Sequence, residues 1–303
     1  MGAFRGAEWR VVRGKSLIFL VLATALMGSS FAVGQMTLHY APPLFLAGLR
    51  FTLAGLLLAA GVRHRPHPHD WRLWARVAVI GLLQTAGVMG AIFLSLVTIP
   101  AGESAILTFA NPMLVVVLGA VFLGQRYRST QWLGAALGIV GIAVAIGGSL
   151  HLQIGVLYGL ASAVFWAVAT VLMKRWGGSV DPWVLTAYQM LIGGLVLLVV
   201  GGLQEGPIFH VTLASAGLLA WLVVMASIVQ FGLWFYVLHH EDSAQASSYL
   251  FLAPVFGVLT GWALLNQAIG VHVLIGALFI IGAIWLVNRS SSLPPEQRLL
   301  PET

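Results

Sequence analysis

From Ser16 onward the chain is a succession of apolar runs, each about the twenty residues an α-helix needs to cross the hydrocarbon of a bilayer. Runs begin near Ser16, Pro42, Leu73, Ala101, Thr130, Gln153, Pro182, Leu213, Ser243 and Val271, which predicts an all-α membrane protein with ten transmembrane helices. Backbone inside hydrocarbon must satisfy its own hydrogen bonds, so helix is the conformation such runs favour. Charged residues make up only 8% of the chain, against about 25% in a soluble globule, which excludes a soluble fold. Arg5, Arg10, Arg13 and Lys15 precede a first run that is longer than a signal-peptide core and lacks an A-x-A site, so it reads as a retained span. The longest polar connection, Arg63 to Arg72, leaves no room for a soluble domain. With no cysteines, disulfides are excluded.

The net charge of +6 is distributed by side rather than gathered into a nucleic-acid surface, and no nucleic-acid partner is expected. Numbering the spans, Arg5, Arg10, Arg13, Lys15, Arg63, Arg65, Arg72, Arg76, Arg126, Arg128, Lys174, Arg175, Arg289 and Arg298 all fall in the even-to-odd loops or the termini. The positive-inside rule then places both termini in the cytoplasm. Arg50, inside span two, is the exception.

The chain is also written twice. Ala101–Gln125 returns as Ser243–Gln267, with identities at Phe109/Phe251, Pro112/Pro254, Val116/Val258, Gly119/Gly261 and Leu123/Leu265, an offset of 142. The alternating spacing of three and four puts the shared set on one helix face. An offset of 139 aligns Met27-Gly28 with Trp166-Ala167, Arg50 with Gln189 and Gly55 with Gly194, while Gly90/Gly232 and Phe93/Phe235 match at 142. The expected units are residues 1–149, residues 150–289 and a cytoplasmic tail, 290–303. Five is odd, so the halves must enter the membrane from opposite sides, as the inverted repeats of many secondary transporters do.

Ten spans in a 5+5 duplication, an Arg within LAGLRFTLAG (Leu46 to Gly55), a Trp-Ala pair in span six and proline helices ending in LGQ and LNQ resemble the EamA-type branch of the drug/metabolite transporter superfamily. Within it the chain looks most like bacterial exporters of aromatic amino acids. The resemblance implies a multi-pass bacterial inner-membrane carrier without a cofactor or metal, taking small amphipathic metabolites such as amino acids. Family members commonly carry Gly-Glu after the fourth span, and here Gln125 and Gln267 stand at the corresponding ends.

Pro112 and Pro254 each remove a helical hydrogen bond, freeing the carbonyls of Thr108 and Leu250, and read either as gate bends or as fixed packing kinks. Ser104, Thr108 and Asn111 form a polar stripe at i, i+4 and i+7, suited to ligand binding or to interhelical bonding. Trp166 lies at mid-depth, where its N–H needs a partner. Trp234, Tyr236 and Tyr249 join it as an aromatic wall opposite Gln35, Gln84, Ser104 and Asn111, a pocket chemistry that suits a zwitterion with an aromatic or apolar side chain. The substrate-binding set is therefore Trp166, Asn111, Gln84, Trp234, Tyr249, Ser104 and Thr108. Arg50 must find carbonyls, water or an anion, and a bond to a neighbouring helix is the favoured reading over a substrate carboxylate. The carboxylates all fall in tails, loops or helix ends, Glu103 being at the outer end of span four, which argues for facilitated flux over tight proton coupling. His64, His67 and His69 have no structural-zinc spacing and read as a solvated loop. Gly134, Gly138 and Gly141 make a small-residue face for packing within a monomer or for a weak homodimer. No triad or H-E-x-x-H assembles, so no enzyme is expected.

Overall fold

The computed structural model describes residues 14–125, 127–145, 153–176, 178–241 and 249–289, and every regular element among them is helical. In chain order these are α1 (Lys15–Thr37), α2 (Pro43–Gly61), α3 (Trp71–Ser95), α4 (Ala101–Leu123), α5 (Ser129–Ala145), α6 (Ile154–Trp176), α7 (Pro182–Gln204), α8 (Leu213–His240), α9 (Leu252–Leu265) and α10 (Val271–Arg289). By length and composition α1 to α4 and α6 to α8, seven helices, can each cross a membrane. Helix α5, helix α9 and the Val271–Ala283 part of α10 are shorter apolar helices. Arg5, Arg10, Arg13, Arg126 and Arg298, the start of the ninth run at Ser243 to Ser248, and the tail 290–303 lie outside the described residues.

The ends of these helices are set by local chemistry. Asp181 caps α7 by accepting from Trp183 N at 2.9 Å and Val184 N at 3.1 Å, with Pro182 in the first turn where its missing N–H costs nothing. Thr212 and Ser215 form a reciprocal capping box on α8, and Asp70 caps α3. Helices α4 and α9 stop in the same way. Gly124 (φ 60°) and Asn266 (φ 53°) are left-handed, and the next residue donates backward, Gln125 N to Gly119 O at 3.2 Å and Gln267 N to Gly261 O at 3.3 Å. The LGQ and LNQ repeats of the sequence are thus two copies of one helix cap.

Helices α2 and α7 form the axis of the molecule. A side chain on Gly48 would strike the Leu198 backbone, one on Gly55 the Leu191 backbone, one on Gly194 Thr52, and one on Gly201 Phe45. Advancing along α2 retreats along α7, so the two run antiparallel, backbone against backbone. Both ends of the pair are tied. Glu205 accepts from Leu44 N and Phe45 N, each at 3.0 Å, and Arg65 pairs with Asp181 at 3.0 Å. Around this axis the packing is reciprocal: α1 lies on α8 and α9 as α6 lies on α3 and α4, while α5 and α10 pair with each other. Gly138 of α5 faces Met113 and Gly141 faces Gly276, Phe279 and Ile280, so these two glycines pack within the chain. The main core joins both halves and includes Phe31, Phe51, Phe93, Phe109 and Met190, with Trp166 and Phe231 packed against it.

Replacing Gly194 by Val should destabilise the protein by several kcal/mol, more than the usual ~1–3 kcal/mol of overpacking because backbone blocks the new side chain. Gly61→Ala, with open space around it, should be neutral or stabilise by about 0.5–1 kcal/mol. Thermal unfolding of both variants in detergent checks the contrast.

Candidate functional site

Helix α4 is broken. Its first segment, Ala101–Thr108, ends at Phe109, and its second, Asn111–Leu123, begins after Ala110. The two linking residues have ψ near zero, and tight bonds from Ala110 N to Leu107 O and from Met113 N to Ala110 O, both 3.2 Å, close the step. Pro112 sits in the first turn of the second segment, where it starts a helix as readily as it bends one. The break therefore falls just before the proline expected to make it. In α9 a 3₁₀ turn, Tyr249–Phe251, leads directly into Leu252–Leu265, with Pro254 buried in that first turn. The break divides α4 by partner. Ala101–Thr108 packs on α1, α6 and α9, whereas Asn111–Leu123 packs on α5, α6 and α10.

The residues expected to bind substrate occupy three places. Trp166 stands at the break, its ring 5.5 Å from Phe109, which in turn is 6.2 Å from Phe31, so one aromatic row spans α6, α4 and α1. Asn111 is buried at the first residue beyond the break. Ser104 and Thr108 are fully buried and bonded, Ser104 to Ser95 and Thr108 to Ser162 at 2.8 Å, which in this conformation makes them interhelical bonds. Trp234 and Tyr249 lie elsewhere, packed with Leu20 and Val237 where α1, α8 and α9 meet at the arginine-rich end. Tyr236 joins them there, against Phe19 at 4.9 Å and His240 at 4.1 Å. The aromatic wall is thus split between the middle and one end of the molecule.

Gln84 lies in an irregular stretch that the sequence did not announce. Helix α3 contains a π segment at Gly81–Gly87 and α8 another at Val224–Val229, and they correspond between the repeats, Thr85 and Ser227 being 142 positions apart. A π turn shifts backbone bonding by one residue and leaves a carbonyl in want of a donor. In α8 that donor is Arg50, with Nη2 3.0 Å from Ala226 O and Nε 3.3 Å from Ser227 Oγ, and the side chain is buried. Arg50 therefore braces α2 to α8. Its repeat counterpart, Gln189, lies against Gly81 of the other π segment. Among the described residues, the buried Thr52 Oγ1, Gln84 Oε1, Gln189 Oε1 and Gln230 Nε2 have no hydrogen-bond partner.

At the arginine-poor end, a cavity of about 580 Å³ is lined by Gln35, His39, Tyr40, His210 and Gln267 together with apolar residues such as Leu38, Leu96 and Val97. Gln35 and Gln267 bond to each other, Gln267 Nε2 donating to Gln35 Oε1 at 2.7 Å. Ala101 N donates to both side-chain oxygens at 3.1 Å, and Gln35 Nε2 donates to Leu96 O at 2.8 Å and Ile99 O at 3.2 Å. One amide pair thus joins the ends of α1, α3 and α9 to the start of α4. Below it the backbones nearly touch: Gly28 against Ala253 and Gly257, Gly257 against Ala105, Gly102 against Val258.

The arginine-rich end is held differently. The loop after α2 is mostly exposed, as expected, His64 and His69 included, and only His67 and Pro68 are half-buried: His67 Nδ1 lies 2.7 Å from the Arg65 carbonyl and Nε2 lies 3.3 Å from Tyr188 Oη, while Trp74 Nε1 donates to Pro68 O at 3.0 Å. Gln125, the repeat counterpart of Gln267, accepts from Tyr127 Oη at 2.7 Å. Burial pushes the Tyr127 phenol up. No cluster of three potential metal ligands occurs among the described residues.

Comparison with known proteins places these features. The EamA-like transporter family matches twice, over residues 14–147 and 153–289. The uncharacterized transporter YvbV of Bacillus subtilis is 30% identical over 285 residues, covering 91% of this chain and 92% of that protein. Protein PecM of Dickeya dadantii is 27% identical, covering 93% and 95%, and the uncharacterized inner membrane transporter YedA of Escherichia coli K12 is 28% identical, covering 88% and 89%. One crystal structure of a protein with 22% identity superposes with a TM-score of 0.66, covering 93% of this chain and all of that one, which speaks to the fold alone.

Truncating Arg50 to Ala should cost about 1–3 kcal/mol, because a buried carbonyl and hydroxyl lose their donor, and Arg50→Lys should recover part of the loss. Detergent thermal-shift measurements on the two variants test this brace.

Proposed function

The chain belongs to the EamA-like transporter family, and from that membership we propose that it exports aromatic and other apolar amino acids, or similar small amphipathic metabolites, from the bacterial cytoplasm. The membrane is the inner membrane, with both termini cytoplasmic, and the protein acts as a monomer or weak homodimer. Ten spans arise when α5, α9 and α10 are counted with the seven longer helices, and the two halves form inverted repeats that alternate access to a central site. The antiparallel α2–α7 axis and the reciprocal packing around it support the inversion, because a helix and its inverted copy must run in opposite directions where they meet.

The observation that carries the substrate class is the aromatic row at the break in α4. Trp166 and Phe109 meet where the helix is interrupted and where both halves contribute to the core. A phenyl ring stacks there without a hydrogen-bond requirement of its own, and an indole asks for a single acceptor for its N–H. The unpartnered Gln84 Oε1 and the buried Asn111 supply polar groups for an ammonium or carboxylate. Facilitated flux follows from where the described carboxylates sit. Asp70, Asp181, Glu205 and Glu241 lie at helix ends and Glu103 in the first turn of α4, so the middle of the bundle holds no described acid to carry a proton.

Purified protein in liposomes should move labelled tryptophan and phenylalanine down their gradients without a proton gradient, and should leave a neutral dye behind. Flux that appears only with a proton gradient would favour a proton-coupled drug or metabolite carrier instead. Trp166→Ala should cut tryptophan flux roughly tenfold or more if one aromatic contact worth about 1.5 kcal/mol is lost. Unchanged flux in a well-folded variant removes Trp166 from the site.

A further inference from the structure

The two helix caps that end α4 and α9 are the same structure in two states of engagement. Each has a left-handed residue, Gly124 or Asn266, followed by a glutamine whose N–H returns to a glycine carbonyl. The backbones agree and the side chains do not. Gln267 reaches across to Gln35 of α1 and shares the Ala101 N–H at the start of α4, whereas Gln125 is held inside its own loop by Tyr127. The glycines beneath the caps differ in the same way. Gly261 faces Gln267 Oε1, the Gly102 N and the Ala101 Cβ of α4, whereas Gly119 faces the Tyr127 hydroxyl. Helix α4 follows suit in part, since its first segment packs on α1 and α9 and its second on α5 and α10, with α6 common to both.

We propose that Gln35 and Gln267 are the latch of the outer gate, and that Gln125, released from Tyr127, is the corresponding latch of the inner gate in the opposite state. The inference rests on the topology proposed above, which makes the arginine-poor end the outer one. In the present conformation the outer gate is shut from the latch down to Gly28. The cavity of about 580 Å³ above the latch is the outer vestibule, and its floor is the amide pair. Opening requires five hydrogen bonds centred on the two side chains to part: one between them, two from Ala101 N and two to the α3–α4 connection. The gate swings at the break, Phe109–Ala110, since the α4 segments on either side of it already have different partners. By the 139-residue offset the inner position equivalent to Gln35 is Lys174, on the last turn of α6. The inner latch thus pairs an amide oxygen with an ammonium.

The chain's lack of cysteine makes the test direct. Ser104→Cys places a near-isosteric thiol, fully buried here, one turn below the latch. Its labelling by a membrane-impermeant thiol reagent added from outside should be slow. Adding Gln267→Ala or Gln35→Ala should speed it about five- to tenfold, as loss of two or more hydrogen bonds shifts the population toward the open gate. Tyr127→Phe, a change in a loop that removes the hydroxyl holding Gln125 together with its longer bond to Val115 O, should also raise outside labelling, by about two- to fivefold. Unchanged labelling in all three monodisperse variants overturns the latch. Acceleration seen only with reagent on the cytoplasmic side overturns its outer placement and the topology beneath it. A short bifunctional thiol reagent joining Gln35→Cys to Gln267→Cys should stop substrate flux until reduced. The labelling readout needs no substrate, so failure of the amino-acid reading and failure of the latch are told apart.

Discussion

Helices α2 and α7 meet through glycine, and the remaining helices take their places from that contact. In hydrocarbon there is no hydrophobic drive to bring helices together, so association depends on how closely backbones approach and on what bonds them. Gly48, Gly55, Gly194 and Gly201 let the two helices touch along their length, and Glu205 and the Arg65–Asp181 pair fix their register at the ends. With that axis rigid, the helices around it can pair reciprocally across the two halves. Arg50 extends the axis outward by filling a carbonyl that the π segment of α8 leaves open. A buried arginine that is expensive on its own is here the partner of an irregularity that would be expensive on its own.

The duplication was legible because it preserves residues at fixed offsets. The helical class followed from run length. The π segments were not legible, since one extra residue in a turn leaves no period in a sequence where nearly every position is apolar. Nor was the placing of the break: proline announces that a helix is interrupted nearby, but Pro112 lies in the first turn of the helix after the step rather than in the step itself. His64 and His69 are exposed, as the charge and proline content of their loop suggest, whereas His67 is half-buried against Trp74 and Tyr188, which come from two different helices.

Residue type alone located the polar and aromatic inventory but not its grouping. Ser104 bonds Ser95 and Thr108 bonds Ser162 across helices, as small hydroxyls do wherever close packing offers a partner. Trp234 and Tyr249 share a cluster with α1 that no spacing within α8 or α9 reveals. Gln267 was visible only as a departure from an expected glutamate. The signal that identifies it is the cap geometry it shares with Gln125, which compares backbone angles rather than letters.

The Gln35–Gln267 amide pair has one more consequence. It holds four chain segments together with neutral groups alone, and parting it separates no charge. Membrane voltage acts on displaced charge, and dissolved ions screen only charged partners. These bonds themselves therefore offer no purchase to the electrical state of the membrane or to the ionic strength of the surrounding medium, and any such sensitivity at this end belongs to Glu103, in the first turn of α4.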